Sequence, residues 1–324
     1  MMGRLPRLKW AAATAALVLS VTGCMTVHGE REVIPAVAED EAPDVLKRFT
    51  TTYNKAWRTA DPKLIEQVET GPLLAIGKAD LAAEHAVNPA GNPRAGTLEL
   101  TDARFTIPQQ AGWPKFFVVD ADSNRGPNRW MLLFTRTGPD APWRAAYLSL
   151  LSDDEVPDFA LDDEGYAQPV RTGADSGLAV RPDRLSSTYA NYLMTGEGTA
   201  FSAGPATSGL RAERKKHVRT PKYWTEYIDS PARGADFAPA GLRPKDGGAV
   251  VFFASYHRQK QTAAKGYRPT PPERVQAVMT GKADKAVTLT RVFESSVRVP
   301  AAGAPDRQVV FLNRLEGVTS AKGE

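Results

Sequence analysis

The chain has 324 residues, a formal net charge of +4 and a single cysteine, Cys24. A length of this order is typical of about two domains and is sufficient for a sizeable core. The lone cysteine excludes an internal disulfide and any zinc site built on cysteine pairs.

The first residues have the layout of a secretory signal peptide. Arg4, Arg7 and Lys9 form a positive start, and the uncharged run from Trp10 to Gly23 follows it. This run is too short for a permanent transmembrane helix, because crossing the hydrocarbon core takes about 20 apolar residues. The segment therefore predicts export.

The uncharged run ends in Val21-Thr22-Gly23-Cys24, which resembles the lipobox of bacterial lipoproteins. The resemblance implies cleavage between Gly23 and Cys24 and transfer of a diacylglyceryl group to Cys24. Two acyl chains are what stable anchoring to a membrane requires. We therefore expect a mature chain anchored through Cys24 on the outer, extracytoplasmic face of the cell membrane. The alternative is an ordinary signal peptide in which the cysteine occurs by chance.

Charge is divided unevenly along the mature chain. Residues 25–170 contain 14 Lys and Arg against 23 Asp and Glu, whereas residues 171–324 contain 24 against 14. One interpretation is that the basic half faces an anionic envelope surface. The other is that the two halves attract one another across an interdomain contact, or that the charges lie on solvated faces.

The first half predicts helices followed by strands. Residues 24–41 predict a flexible tether, and the apolar spacing after Asp44, which can cap a helix, predicts a first amphipathic helix. Further helices are predicted at 61–68 and 73–86. Four runs bounded by turn residues then predict antiparallel strands, at 97–107, 115–120, 129–135 and 143–151. This order predicts an α+β domain over residues 42–165.

The second half repeats this order after residues 166–182, which are rich in Gly, Asp and Pro and predict a linker. Helices are predicted at 183–193, 208–217, 221–228 and 271–279. Strands are predicted at 249–261, 286–299 and 308–315. The sequence therefore predicts a second α+β domain over residues 183–320.

Helices followed by a curved four-stranded sheet resemble the cone-shaped NTF2-like (cystatin-like) fold. Together with the lipobox, the chain resembles actinobacterial lipoproteins with tandem domains of this kind. In such a fold, a set of aromatic residues would line a concave pocket or would belong to the core: Trp57, Trp113, Phe117, Trp130, Trp143 and Tyr147.

No motif in the sequence predicts catalysis, a metal or a cofactor. Gly-x-Ser-x-Gly, Ser-x-x-Lys and a Gly-rich phosphate loop are all missing from the sequence. The histidines, His28, His85, His217 and His257, do not form a His-x-x-x-His pair. His257, on a predicted strand, is the first of them to test, with a surface or satisfied interior histidine as the alternative.

The densest basic run lies between Arg211 and Lys222. On a helix, Arg211, Lys215 and Arg219 would share one face, which suits anionic headgroups. Nucleic acid is not an expected partner of an exported protein. We therefore predict a non-enzymatic, membrane-anchored module that binds or assembles with an envelope protein or a ligand. A small-molecule enzyme or ligand-binding protein using an NTF2-like pocket is the alternative.

Overall fold

A computed structural model describes residues 32–324 of the chain. Gly23 and Cys24, with the rest of the predicted signal peptide and lipidation site, lie outside the described residues.

The described part of the N-terminal half contains three helices and a four-stranded antiparallel sheet, the N-sheet. In chain order its elements are β1 (Val33–Pro35), α1 (Glu41–Thr59), α2 (Pro62–Ile65), α3 (Gly71–Val87), β2 (Leu100–Thr106), β3 (Gln109–Ala111), β4 (Lys115–Ser123), β5 (Arg129–Arg136) and β6 (Arg144–Leu151). The N-sheet has the strand order β2-β4-β5-β6, and β1 pairs separately with β3. Strand β6 is therefore an edge of the N-sheet.

The C-terminal half contains a six-stranded sheet, the C-sheet, and three helices. In chain order its elements are α4 (Pro182–Thr195), α5 (Leu210–His217), β7 (Tyr223–Pro231), β8 (Ala240–Leu242), β9 (Ala249–Ala263), α6 (Glu273–Ala277), β10 (Met279–Thr280), β11 (Ala286–Val299) and β12 (Val310–Gly323). The strand order is β10-β12-β11-β9-β7, with β8 paired to β9. Only the short β10–β12 pair among these is parallel.

The described residues form four layers, in the order helices, N-sheet, C-sheet, helix. Side chains alternate along a strand, so Phe117 of β4 packs against α1 while its neighbour Phe116 packs toward the C-sheet. In β9, Phe252 faces the N-sheet and Phe253 faces α4. Each sheet is thus buried on both faces, which explains why β4 and β9 carry nearly continuous apolar runs.

The edge strand β6 is capped along its outer side. The Ala145 N–H donates to the Val68 carbonyl at 2.8 Å, and the Thr70 N–H donates to the Ala145 carbonyl at 2.8 Å. Farther along, the Leu148 N–H donates to Glu294 Oε2 at 3.2 Å and the Leu150 N–H to Asn313 Oδ1 at 3.2 Å. Side chains of the C-sheet therefore satisfy an edge that would otherwise be open to pairing with another chain.

The predicted α+β class is confirmed, and strands occur at each of the four places where the N-terminal half predicts them. The helix predicted at 221–228 is wrong, because this segment is β7. Along it, Thr225 is buried between the exposed neighbours Trp224 and Glu226, which is the alternation of a strand. Asp44 does not cap α1, which begins at Glu41.

The two-domain NTF2-like arrangement is not confirmed. The segment predicted as a linker hydrogen-bonds to both halves, with the Ala167 N–H donating to the Ile107 carbonyl and the Val170 N–H to the Gly241 carbonyl. Part of the predicted tether also belongs to the folded body, because Val33–Pro35 pairs with β3.

Glu294 generates a prediction about pH. Burial raises its pKa to about 8, partly opposed by the Leu148 N–H, so the folded state keeps this carboxyl protonated at neutral pH. Burial, and to a smaller extent the proximity of the Glu294 carboxyl, also raise the pKa of Glu69. The pKa of Glu294 is higher in the folded state than in the unfolded state. Its contribution to the free energy of unfolding is therefore fully present below the unfolded pKa near 4.5, and it falls as the pH rises toward 8.

We expect Glu294→Gln to be more stable than the wild type at pH 8, by on the order of 2–4 kcal/mol, and to lose this advantage near pH 4. Glutamine retains an acceptor for the Leu148 N–H and does not ionise. Urea unfolding at several pH values measures the difference. The exposed Glu99→Gln serves as control, and an advantage of Glu294→Gln that does not change with pH would contradict the prediction.

Candidate functional site

A cavity of about 780 Å³ lies between the N-sheet and the C-terminal half. Its apolar floor is formed by β4, β5 and β6, from Phe116, Leu133, Ala146 and Tyr147. The opposite wall comes from the predicted linker and from the segment that enters β8: Pro169, Val170, Ala238, Pro239 and Ala240. We call this space the inter-sheet cavity.

Two contacts hold the loop before β8 against the N-terminal half. The Tyr147 hydroxyl donates to the Phe237 carbonyl at 3.3 Å and to the Ala238 carbonyl at 3.1 Å. Burial raises the pKa of Tyr147, with the nearby Glu294 adding to the effect, so the hydroxyl remains a donor. Gly71 has a φ of +58°, and a Cβ at this position would collide with the Asp236 carbonyl. The loop can therefore approach α3 this closely only because residue 71 is a glycine.

Arg144 is the cationic group on the cavity wall without a partner in the described part of the chain. It is half-buried at the start of β6, and residues 32–324 provide its side chain with no ion pair and no hydrogen bond. Arg171, by contrast, is paired with Asp175 at 2.6 Å. A planar guanidinium with free donors beside apolar walls suits a carboxylate, sulfonate or phosphate group.

Trp113 stands at the rim of the inter-sheet cavity and is 39% exposed. The Lys115 Nζ lies 5.5 Å and the Arg136 Cζ 5.7 Å from the centroid of its ring. The Lys115 ammonium donates to the Pro35 carbonyl at 3.2 Å. Burial lowers the pKa of Lys115, and the charge of Glu32 opposes this effect. Two cations therefore lie within about 6 Å of the centroid of the indole ring.

The concave surfaces where the NTF2-like resemblance places a pocket are filled. On the helix side of the N-sheet, the Phe117 ring stacks on Phe134 with centroids 5.2 Å apart and meets Trp143 edge-on at 4.9 Å. Trp57 and Trp130 pack against the same core. Of the six aromatic residues that the sequence singles out, Trp113 and Tyr147 line the inter-sheet cavity.

A second, more open cavity of about 560 Å³ lies between α4, α5 and β7, and Arg211, Arg214 and Lys215 line it. The Arg211 guanidinium lies 5.5 Å from the centroid of the Tyr192 ring. Because α5 ends at His217, Arg219 is not on this helix and does not share its face, which corrects that part of the prediction. The structure thus places Arg211 and Lys215 together and Arg219 apart from them.

His257 is a satisfied interior histidine. Its Nδ1 lies 3.0 Å from Asp229 Oδ1 and 2.9 Å from Arg214 Nη2, and its ring is stacked between Tyr227 and Phe293. Burial lowers the pKa of His257, with Arg214 lowering it further and Asp229 opposing, so the ring is neutral near pH 7. The histidine therefore completes a buried polar network.

Asp229 is the centre of that network, because it receives both terminal nitrogens of Arg214, at 2.6 and 3.0 Å. Burial alone would raise its pKa, but the hydrogen bonds from His257 and Arg214 lower it below the ordinary range. A carboxylate committed to three bonds is not available as a base.

Two acidic runs, Asp153–Glu155 and Asp162–Glu164, follow β6. Asp153–Glu155 is a single 3-10 turn, and Asp153 Oδ1 lies 3.9 Å from Nε of the buried Arg129. Arg129 is bound mainly by Asp120, at 2.7 Å, and by Asp122, at 2.7 Å. Within residues 32–324 no group of three or more His, Cys, Asp or Glu side chains is arranged to hold a metal ion.

The buried Asp229–Arg214 pair generates a prediction about stability. We expect Asp229→Asn to lower the free energy of unfolding by about 3 kcal/mol, because it leaves a buried guanidinium without its counter-charge. The exposed pair Arg298–Asp246 provides a matched control, and Asp246→Asn should cost less than about 1 kcal/mol. Denaturant unfolding measures both variants, and equal losses would contradict the prediction.

Comparison with known proteins identifies the family. Residues 33–323 match the family described as a domain of unknown function, DUF8094. An uncharacterized lipoprotein of Streptomyces avermitilis is 46% identical over 313 residues, covering 96% of this chain and 94% of the relative. An uncharacterized lipoprotein of Streptomyces coelicolor is 45% identical over 316 residues, covering 97% and 94%. No solved structure matches the chain. No helix among residues 32–324 is both long and apolar enough to span a bilayer. The chain therefore belongs to the DUF8094 family and is a relative of actinobacterial lipoproteins.

Proposed function

We propose that the protein is a membrane-anchored, extracytoplasmic binding lipoprotein. Its inter-sheet cavity holds a small molecule that has an apolar body and an anionic group. The observation that carries this proposal is Arg144, whose guanidinium has no partner within residues 32–324, whereas the lining residues Lys115, Arg171 and Asp175 each have one.

The dimensions and the lining of the cavity support binding of a small molecule. A volume of about 780 Å³ lies within the range of ligand sites, which are mostly apolar with a few polar groups that fix orientation. Phe116, Leu133 and Ala146 offer the apolar floor, and Arg144 lies at the start of the same strand as Ala146. An anion at Arg144 would place an apolar body over this floor.

The lining favours binding over catalysis. It contains no histidine or cysteine, and Asp175 is already paired with Arg171. The Tyr147 hydroxyl donates to main-chain carbonyls instead of facing a reacting group. Lys115, Asp236 and several threonines also line the cavity, but within residues 32–324 none of them forms the nucleophile–base hydrogen bond that covalent catalysis requires.

Membrane anchoring rests on two independent observations. The sequence Val21–Cys24 resembles a lipobox, and the relatives that align over nearly the whole chain are named lipoproteins. The outer-face location follows from the signal peptide that precedes Cys24. Arg211 and Lys215 on α5, and Arg219 beyond the end of this helix, remain candidates for contact with an anionic envelope surface or an envelope protein.

The anionic apolar dye 1-anilinonaphthalene-8-sulfonate is a suitable probe of the cavity. We expect Arg144→Gln to weaken its binding by about tenfold, because a charge-assisted hydrogen bond to the sulfonate is lost. Arg144→Lys should retain part of the affinity. Fluorescence titration of the purified mature chain gives the dissociation constants.

Two further variants make this measurement decisive. The exposed Arg307→Gln removes one positive charge away from the cavity and should leave dye affinity unchanged. Ala240→Phe places a ring into the cavity and should weaken binding without a change of charge. Equal dye binding by the wild type, Arg144→Gln and Ala240→Phe would show that the cavity is not the site.

The anchor is tested separately. We expect Cys24→Ala to leave the precursor uncleaved or to release the protein from membranes, because the acceptor thiol for the diacylglyceryl group is lost. Membrane fractionation and the mass of the N-terminal peptide measure both effects. Normal processing and full membrane retention of Cys24→Ala would refute lipidation at this residue.

A further inference from the structure

Three large apolar side chains are exposed together where the described chain begins. Val33 is 58% exposed, Ile34 is 43% exposed, and Trp113 is 39% exposed. They lie at one end of the β1–β3 ribbon, because β1 pairs with β3 in the register Val33 to Ala111 and Trp113 follows β3 by two residues. Val33 and Ile34 alternate across this ribbon, one on each face. We call Val33, Ile34 and Trp113 the Trp113 surface.

Chain length keeps the Trp113 surface near the lipid anchor. Eight peptide units separate Cys24 from Glu32, and such a segment spans at most about 29 Å even when fully extended. This limit is about the thickness of one hydrocarbon core. An apolar surface tied to a bilayer by so short a segment meets the membrane interface at high effective concentration.

The surroundings of Trp113 suit the membrane interface. Tryptophan is enriched at the level of the lipid headgroups, where its ring is apolar and its N–H finds a polar partner. Lys115 and Arg136 contact the ring, and their charges are opposed by Glu32 and by Glu41, whose Oε1 lies 3.6 Å from Arg136. The surface therefore has little net charge, and apolar insertion dominates its attraction to a bilayer.

Trp113 also lies at the rim of the inter-sheet cavity, beside the exposed Pro114 and Pro142. Insertion of Trp113 into a bilayer would therefore place the mouth of the cavity at the membrane surface. We infer that the Trp113 surface inserts into the outer leaflet, and that the cavity takes up a membrane-resident amphiphile with an apolar chain and an anionic headgroup.

This inference rests on the proposed function and specifies its ligand class and the route by which the ligand enters. The apolar chain would pass along Phe116 and Leu133, and the headgroup would reach Arg144. Uptake of a water-soluble anion would not require the Trp113 surface to contact a membrane. The source of the ligand, bilayer or solution, is therefore the point that an experiment has to separate.

Insertion is tested with the full lipidated chain on vesicles of brominated phosphatidylcholine, which quench tryptophan near the interface. Trp224, on the edge strand β7, is 54% exposed and provides a matched control. We expect quenching in the wild type and in Trp224→Phe, and loss of most of it in Trp113→Phe. Quenching that survives in Trp113→Phe and disappears in Trp224→Phe would overturn the inference.

The dependence of tryptophan quenching on anionic lipid distinguishes insertion of the Trp113 surface from membrane binding through α5. Quenching should be the same on neutral vesicles and on vesicles with anionic lipid, and Arg211→Gln/Lys215→Gln should not change it. Quenching that requires anionic lipid and is lost in this double variant would place α5 on the membrane and overturn the inference.

Uptake is tested with a fluorescent fatty acid supplied either in vesicles or free in solution. The variant Val33→Asp/Ile34→Asp leaves the cavity lining intact and should slow uptake from vesicles by about tenfold, with no change in affinity for the free probe. Equal uptake from vesicles by the wild type and this variant would overturn the membrane route and leave the cavity proposal standing. Failure of the wild type to bind the free probe would overturn the cavity proposal itself.

Discussion

The capped edge of β6 is the contact on which the rest of this molecule depends. Main-chain groups of residues 68–70 satisfy its first part, and Glu294 and Asn313 of the C-sheet satisfy its second part. Ser149 and Ser296 add a hydroxyl contact of 2.6 Å across the same boundary. These polar groups are buried, so each must find its partner, and only one register of the two sheets provides all of them. The position of the C-sheet, and with it the inter-sheet cavity, follows from that register.

Much of the secondary structure could be predicted because its signals are local. Turn residues and alternating apolar positions define the strands of the N-sheet, and Pro182 together with the apolar spacing after it defines α4. The error at 221–228 arose because the aromatic residues of β7 recur at a spacing that also fits a helix. Packing of the two sheets is different, since it depends on residues far apart in the chain. The adjacent apolar residues Phe116 and Phe117 were nevertheless a usable signal, because a strand buried on one face alone would alternate apolar with polar residues.

The candidate site could be predicted only in part. The basic residues of α5 were evident as a cluster. For His257, the stated alternative of a satisfied interior histidine is the one that the structure has. Arg144 carries no sequence signal, because one arginine in a strand is common and its lack of a partner is a property of the folded chain. The aromatic set was recognisable as a group, but no local pattern separates Trp113 and Tyr147, which line a cavity, from Phe117 and Trp143, which fill a core. Side chains fill the helix-facing side of each sheet, so the inter-sheet cavity lies instead at the boundary between the two halves.

The segment that connects the two halves, residues 166–182, is also a wall of the inter-sheet cavity, through Pro169 and Val170. In most two-part proteins a connecting segment can be lengthened or exchanged with little effect on the site. Here it cannot, because the same residues that join the halves form a wall of the cavity and hydrogen-bond to both sides. The cavity therefore depends on the segment that connects the two halves. Neither half carries it alone, and a single backbone cut near the exposed Asp175 would open the cavity while leaving both sheets in place.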